Sequence, residues 1–288
     1  MNYKKSNVLI TGLIRNGEKT IEDSINKLLE SFSFFNETYF YVVESDSNDN
    51  TVKILEKISK KVKNFKYVTL GALQNKIRSR VKRITYCRNY SLDYIKKNND
   101  ILNNPYVVVS DLDGVISKIN KKKILSCFEL KNQWSVLTAN QSDFYYDIWA
   151  LRHQSWSNDD CWNSYNFFLN ELKLGHYKSY NRAVRSKQIR IDKFLPPIRV
   201  NSAFGGLAIY KPNVYVKSYY EENTTENNYI SCEHVAFHEK LIKKGFKIFI
   251  NPKLIIGRAP KKHIPNKLYV IFYHILLHLK LINKKIID

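Results

Sequence analysis

The chain has 288 residues, of which 44% are hydrophobic and 14% aromatic. Such a chain can bury a sizeable core, which excludes an intrinsically disordered protein and predicts one large α/β domain, alone or with an appendage. It carries 47 lysine and arginine residues against 26 acidic ones, a formal net charge of +21. This charge favours anionic partners: nucleic acid, an anionic membrane face or phosphorylated substrates. Many lysines alternate with Asn and Ile, the codon pattern of an AT-rich genome, which weakens the case for nucleic acid.

The cysteines and the N-terminus bear on the compartment. Cys87, Cys127, Cys161 and Cys232 are far apart and form no C-x-x-C pair, so the sequence predicts neither a zinc site nor a disulfide framework. Scattered thiols fit a reducing cytoplasm. The N-terminus combines two lysines with only a short apolar run, which is typical neither of a signal peptide nor of a membrane span. We therefore expect the chain on the cytoplasmic side of the membrane.

The first predicted unit is a strand, a loop and a helix. Asn7 to Leu13 predicts the strand, Ile14 to Glu18 the loop, and Lys19 to Phe32 a helix with an apolar period near 3.6 residues. Open α/β sheets bind ligands at loops that follow parallel strands, so Arg15 is a candidate binding residue. The alternative is a solvated turn.

The second predicted unit contains an acidic loop. Thr38 to Val43 predicts a buried strand and Thr51 to Ile58 a helix. Between them, Glu44, Asp46 and Asp49 belong to an acceptor-rich run that can bind ribose or base hydroxyls and amides. The alternative for this run is an ordinary helix N-cap.

A basic segment follows the third predicted strand, Asn64 to Leu70. From about Arg83 the apolar spacing becomes helical. Arginines on a helix that enters a nucleotide cleft can neutralise a diphosphate, and Arg88 is the candidate. Three other cations are interpreted as a solvated basic face: Arg78, Arg80 and Lys82.

The central predicted strand, Tyr106 to Val109, runs into the sequence Ser-Asp-Leu-Asp-Gly. Alternation along an extended chain puts Asp111 and Asp113 on the same side, and Gly114 permits a sharp exit. Their hard oxygen ligands suit Mg²⁺ or Mn²⁺, which bridge a carboxylate to a substrate diphosphate. An isolated Asp-x-Asp is also common in turns and helix caps.

The order of these features, from the first strand to Gly114, resembles the nucleotide-sugar half of the GT-A glycosyltransferases. The resemblance implies a Rossmann-like α/β fold, a mostly parallel mixed sheet flanked by helices. Residues 1–115 would be its nucleotide-binding half and 116–265 its acceptor half. It also implies that Glu44 and Asp46 hold the nucleoside of a UDP- or GDP-linked sugar, while the Asp-x-Asp pair holds Mn²⁺ or Mg²⁺ on the diphosphate.

Ser135 to Ala139 predicts a further strand, and an aromatic and polar stretch follows it. Asp147, Trp149 and Arg152 are candidates to face one cleft and to bind sugar hydroxyls and ring faces. The sequence Tyr-Tyr-Asp-Ile-Trp-Ala-Leu-Arg resembles a stretch of bacterial surface-polysaccharide transferases and, more distantly, of fungal capsular α-mannosyltransferases.

A helical, basic segment from Phe167 to Arg190 is predicted next, near the acceptor. Gly205 and Gly206 then precede a predicted strand, Leu207 to Tyr210. In GT-A enzymes a similar segment lets the backbone approach the donor sugar. A structural β-bulge is the alternative.

A helix is predicted to start at residue 231 or 232 and to stop at Gly245, with Glu233 in its first turn. The GT-A resemblance makes Glu233 the general base if the enzyme inverts. The sequence Cys-Glu-His is closer to the fungal capsular group, which is retaining, so the stereochemistry stays open. His234 and His238 are interpreted as core or solvent histidines rather than metal ligands.

Phe246 to Ile250 predicts the last strand. The GT-A resemblance makes His263 a candidate to complete the metal shell. Residues 266–288 form a separate basic, amphipathic element. It is either a helix in an anionic membrane interface, peripheral on the inner face of a bacterial cytoplasmic membrane, or a helix packed on the domain or on a second subunit.

These features predict a metal-dependent glycosyltransferase that moves a sugar from a nucleotide-diphosphate donor to a cell-surface glycan. The expected acceptor is lipid-linked or a polysaccharide, as in lipopolysaccharide, capsule or O-antigen. A sugar-phosphate nucleotidyltransferase would instead carry a Gly-rich basic loop after the first strand, and this sequence lacks it. A nucleic-acid-binding protein would show a recognisable module, whereas the basic residues here are spread along the chain. We therefore expect no nucleic-acid partner.

Overall fold

A mixed sheet runs through the middle of the protein. The computed structural model describes residues 3–130, 133–222 and 231–260. In these ranges the sheet has eight strands in the order β3-β2-β1-β4-β7-β5-β8-β6. They are β1 (Val8–Ile14), β2 (Thr38–Glu44), β3 (Phe65–Thr69), β4 (Tyr106–Ser110), β5 (Val136–Gln141), β6 (Ile198–Val200), β7 (Leu207–Tyr210) and β8 (Ile248–Gly257).

The helices cover both faces of this sheet. They are α1 (Ile21–Ser31), α2 (Thr51–Lys61), α3 (Arg80–Asn98), α4 (Lys121–Phe128), α5 (Cys161–Asn166), α6 (Gly175–Ala183) and α7 (Glu233–Lys243). Buried side chains of α1, α2 and α4 share one apolar cluster, and those of α3 and α7 share the other. The result is a three-layer α/β arrangement, as the sequence predicts.

The first four strands are parallel, and their alternating side chains explain both clusters. β1 pairs with β2 on one side and with β4 on the other. In β4, Tyr106 and Val108 belong to the α1 side, whereas Val107 and Val109 belong to the α3 side. A strand covered on both faces needs a continuous apolar run, which is the signal that predicted this strand. All four strands therefore end at one edge, where their loops meet.

The antiparallel strand β7 brings the second half of the chain to that edge. It lies between β4 and β5, and Ser110 stands opposite Leu207. The amide of Asp111 donates to the carbonyl of Gly206 at 2.9 Å, so the pairing continues one residue past the strands. The predicted boundary at residue 115 thus falls within one continuous sheet.

Two strand predictions need correction. The strand predicted to end at Ile250 continues through Pro252 to Gly257, and the short edge strand β6 was not predicted. Proline lacks the amide that a sheet ladder uses. Here the pairing with β5 is itself irregular around Asn140, whose side-chain amide donates to the carbonyl of Pro252 at 3.0 Å.

The helical segment predicted from Phe167 to Arg190 is broken. A π-helical turn occupies Phe167–Glu171, and α6 begins only at Gly175. Lys173 and Gly175 both have positive φ, of 51° and 76°. A right-handed helix cannot continue through such residues, so the π-helical turn and α6 are separate elements. No helix in the described ranges is long and apolar enough to cross a bilayer. The predicted C-terminal helical tail, residues 266–288, lies outside the described residues.

Candidate functional site

A cavity of about 430 Å³ opens at the edge where the parallel strands end, and we call it the central cleft. It is bounded by the loops after β1, β2 and β4, by α3, and by the start of α7. This is where open α/β sheets bind their ligands. Its charged lining residues are Arg15, Asp46, Arg80, Arg83, Arg88, Asp111, Asp113, Asp147 and Glu233.

The two aspartates after β4 present carboxylates to this cleft. Asp111 is half-buried and Asp113 is exposed. Within the described residues, no side-chain or backbone donor forms a hydrogen bond with either carboxylate. The pKa of Asp111 is raised to about 8, mainly by burial and then by the neighbouring Asp113 carboxylate. Two adjacent acidic groups without internal donors have the chemistry of a hard divalent-cation site.

The residues present fit part of a metal shell. In the described ranges, no group of three or more His, Cys, Asp or Glu side chains is arranged to hold a metal. Asp111 and Asp113 would therefore hold Mn²⁺ or Mg²⁺ as a pair, with other ligands from water and a substrate phosphate, as is usual for Mg²⁺. The predicted third ligand, His263, lies outside the described residues.

A buried ion pair forms another part of the cleft wall. The guanidinium Nε of Arg88 on α3 donates to Oε1 of Glu233 on α7 at 2.7 Å, and both side chains are less than a tenth exposed. The same guanidinium lies 5.4 Å from the ring centroid of Phe204 and 5.6 Å from that of Tyr220. The pair is thus fixed by charge and by cation–π contacts. It places Glu233 on the cleft, where its other oxygen, Oε2, accepts a long contact from the Cys232 thiol at 3.6 Å.

The predicted sugar-contact residues divide into two groups. Asp147 and Trp149 line the central cleft. Burial raises the pKa of Asp147 to about 6, although its bond from the Gly205 amide, at 2.9 Å, favours the charged form. Arg152 does not line the cleft, which corrects the prediction. Its guanidinium binds Asp160 at 2.6 Å instead.

The glycine pair supports the cleft from behind. Gly205 and Gly206 have positive φ, of 67° and 93°, and neither lines the cleft. A Cβ on Gly205 would meet the carbonyl oxygen of Ala139 at 2.8 Å. The protein backbone alone therefore requires glycine at residue 205. The pair also bonds to Asp147 and Asp111. Its approach to a donor sugar stays a prediction.

The acidic loop after β2 is held largely by internal bonds. Glu44 is 1% exposed, and its carboxylate accepts from the amide of Ser47 and from the hydroxyl of Thr69. Asp49 accepts from the amides of Thr51 and Glu18, at 2.9 and 3.2 Å. Asp49 therefore stabilises the start of α2, as in the helix-cap alternative of the sequence analysis. It does not line the central cleft.

Asp46 joins this loop to the basic segment. Its carboxylate binds Arg83 Nε at 3.2 Å and the amide of Gln74 at 2.8 Å, and its φ is 63°. Arg15 donates to its carbonyl oxygen at 3.2 Å. A second cavity of about 200 Å³ adjoins the central cleft here and shares Arg15 and Asp46 with it. Glu44 lines this second cavity.

The sequence analysis missed two cleft residues on α3. Arg80 was assigned to a solvated face, and Arg83 was given no role, yet both line the central cleft. The helix begins at Arg80 rather than near Arg83, because the Ser79 hydroxyl caps it by accepting from the Lys82 amide. Residues 80, 83, 84, 87 and 88 then share one helical face. That spacing was the available signal.

Two solved structures are similar to this chain. A fragment of S. aureus TarS, residues 1–349, is 17% identical over 94% of this chain and 65% of that chain, with a TM-score of 0.47. The mannosyltransferase PcManGT from Pyrobaculum calidifontis, solved with GDP-Man and Mn²⁺, is 13% identical over 96% of this chain and 64% of that chain, with a TM-score of 0.51. This chain thus spans less than two thirds of either structure. No curated protein matches it.

The mixed sheet flanked by helices has the GT-A fold, which confirms the predicted fold. A family model described as "Cryptococcal mannosyltransferase 1" matches residues 7–242. This chain belongs to that family. The distant similarity to fungal capsular mannosyltransferases, predicted from the sequence, is confirmed by the same match.

The Arg88–Glu233 pair generates a prediction about stability. Arg88→Met alone should lower the free energy of unfolding by about 3 kcal/mol, because it leaves a buried carboxylate without its counter-charge. Arg88→Met combined with Glu233→Leu should recover most of that loss, although the cleft loses both groups. Urea denaturation of the two single variants and the double variant measures this coupling. Additive losses would contradict it.

The raised pKa values generate a prediction about pH. Folded Asp111 and Asp147 hold protons up to about pH 8 and 6, whereas an unfolded Asp releases them near its ordinary value of 3.8. The metal-free protein should therefore lose stability as pH rises from about 4 to about 8. Asp111→Asn should flatten the upper part of this decline. Mn²⁺ needs the charged carboxylate, so it should stabilise the protein more at high pH than at low pH.

Urea denaturation in EDTA at about pH 5, 6.5 and 8 tests this prediction. A decline that persists unchanged in both Asp111→Asn and Asp147→Asn would contradict the assignment to these two carboxyls.

Proposed function

We propose that this protein transfers a sugar from a nucleotide-diphosphate donor to a glycan acceptor in a metal-dependent reaction. One observation carries the proposal. Asp111 and Asp113, which lack internal donors among the described residues, share one cleft with the buried Arg88–Glu233 pair. A cation site beside a fixed carboxylate is what phosphate activation and hydroxyl orientation require.

Different residues of the cleft would bind the metal, the phosphates and the nucleoside. Asp111 and Asp113 would hold Mn²⁺ or Mg²⁺, which when bound neutralises charge developing on the leaving diphosphate. Arg15, Arg80 and Arg83 line the same cleft and add positive charge near the phosphates. Asp46 and Glu44 border the second cavity, where the nucleoside would lie. We retain His263 as a proposed further metal ligand.

Glu233 would act on a hydroxyl through its Oε2 atom, since Oε1 is bound to Arg88 at 2.7 Å and Oε2 has only a long contact with the Cys232 thiol among the described residues, at 3.6 Å. In an inverting reaction this oxygen takes the proton of the acceptor hydroxyl. In a retaining reaction it orients a donor or acceptor hydroxyl. Asp147 and Trp149, which line the same cleft, would also contact the sugar.

GDP-mannose is the donor to test first. The family description names a mannosyltransferase, and PcManGT was solved with GDP-Man and Mn²⁺. UDP-GlcNAc is the second candidate, since TarS has been solved with it. We propose a cell-surface glycan as the acceptor, either lipid-linked or a polysaccharide.

A thermal-shift panel tests the metal-dependent donor site. The panel contains GDP and UDP, each with and without Mn²⁺. One of the two nucleotides should raise the melting temperature by several degrees, and only with metal, because a ligand of the native state stabilises it by mass action. Asp113→Asn should abolish that shift. Asp93→Asn, on the exposed face of α3, is the matched control and should keep it. The absence of any nucleotide shift in the wild type would contradict the proposed function.

We also propose that residues 266–288 dock on the inner face of the cytoplasmic membrane. The support is the sequence, in which lysines flank a mostly apolar stretch. Full-length protein should sediment with vesicles that contain anionic phosphatidylglycerol and less with neutral phosphatidylcholine vesicles. Replacing Lys280, Lys284 and Lys285 by Gln should weaken the anionic binding. Equal binding to both kinds of vesicle, or a dimer that sediments with neither, would contradict this proposal.

A further inference from the structure

Two histidines on α7 lie one helical turn apart and differ in their hydrogen bonds. Both are buried, with exposed fractions of 2% for His234 and 0% for His238. His238 uses both ring nitrogens, Nδ1 with the Ser202 hydroxyl at 3.0 Å and Nε2 with the Tyr210 hydroxyl at 2.9 Å. Neither ring nitrogen of His234 has a hydrogen-bond partner in the described part of the chain.

An unpaired buried imidazole is costly to the fold. Two polar atoms of His234 are removed from water without compensation, which destabilises the native state. Burial lowers the pKa of His234 well below its ordinary value, and Arg88 lowers it further. The ring is therefore neutral, with one N–H donor and one acceptor lone pair to offer.

The surroundings of His234 leave the ring edge as its free part. Phe204 stacks on one ring face with a centroid distance of 4.0 Å, and Tyr220 packs edge-on at 5.8 Å. The nearest carboxylate oxygen, Oε1 of Glu233, is 3.7 Å from Nε2, which is too long for a hydrogen bond. His234 lines the central cleft. The residue therefore borders a ligand site, and both of its unpaired ring nitrogens are shielded from solvent there.

A second unpaired polar group lies on the same cleft. The indole Nε1 of Trp149 is buried and has no partner among the residues that the structure describes. Trp149 also lines the central cleft. Together His234 and Trp149 bring two neutral donors and one neutral acceptor to the residues that line the cleft. Neutral groups that both donate and accept match a hydroxyl, whereas a phosphate would only accept.

We infer that His234 is a sugar-binding residue, whose ring edge forms hydrogen bonds with a hydroxyl of the substrate sugar in the central cleft. This inference rests on the proposed function. It assigns the α7 part of the cleft to the sugar and leaves the metal and diphosphate to the aspartates after β4. The hydroxyl belongs to the donor sugar or to the acceptor sugar, and the two sources are separable by experiment.

The chain supplies a matched control for this test. His234→Phe keeps a stacking ring and removes two unpaired polar atoms. Its melting temperature should therefore be no lower than that of the wild type and up to about 2 °C higher. His238→Phe leaves the Ser202 and Tyr210 hydroxyls without partners and should lower it. A histidine with a purely structural role would not give this opposite pair of results.

Binding measurements with Mn²⁺ then identify the hydroxyl. If it belongs to the donor, His234→Phe should weaken GDP-mannose binding about tenfold and leave GDP binding within about twofold. If it belongs to the acceptor, donor binding should persist, while kcat/KM for methyl α-mannoside as acceptor falls about tenfold. Rescue by His234→Asn would point to Nδ1 and rescue by His234→Gln to Nε2.

Two negative results have different meanings. Unchanged donor binding together with unchanged kcat/KM in His234→Phe would overturn the sugar-binding assignment and leave the proposed function standing. A wild-type protein that binds neither GDP-mannose nor UDP-GlcNAc with Mn²⁺ would overturn the proposed function, and the assignment of His234 with it.

Discussion

The buried pair of Arg88 and Glu233 joins the two halves of the protein across its cleft. Arg88 lies in the middle of α3, which follows the first three strands, and Glu233 begins α7, which precedes the last strand. Removing two charges from water is expensive, and the cost is recovered only when geometry and further contacts are favourable. The contact at 2.7 Å and the rings of Phe204 and Tyr220 supply that geometry. The pair therefore sets the spacing of the walls against which a substrate would bind.

The floor of the cleft depends on the antiparallel strand β7. Through it, the carbonyl of Gly206 binds the amide of Asp111, and the amide of Gly205 binds Asp147. Two acidic side chains from distant parts of the sequence are thereby placed by adjacent glycines. The positive φ of both glycines makes this turn accessible to few other residues. A motif that resembles a sugar-contacting segment thus acts here through the positions of Asp111 and Asp147.

Local patterns in the sequence were sufficient for most of the sheet and for the aspartates after β4. A strand buried on both faces, such as β4, has a continuous apolar run that is visible in the sequence. Arg152 and Glu44 were less tractable, because their partners, Asp160 and Thr69, are determined by tertiary folding. The predicted last strand ended at Ile250, before Pro252, whereas β8 continues to Gly257. The missing amide of proline is tolerated there because the neighbouring strand is irregular. Nothing in the local sequence reveals that irregularity.

Hydrogen-bond satisfaction separates the candidates that remain. Asp49 and Arg152 have their polar atoms occupied by other parts of the protein, which explains their presence without a ligand. Within the described residues, Asp111 and Asp113 have no donors on their carboxylates, and His234 and Trp149 have unpaired nitrogens on the same cleft. Native proteins pair almost all of their buried polar groups, so the unpaired nitrogens of His234 and Trp149 require a cause. A ligand with both anionic oxygens and hydroxyls accounts for the acidic and the neutral members of this set together.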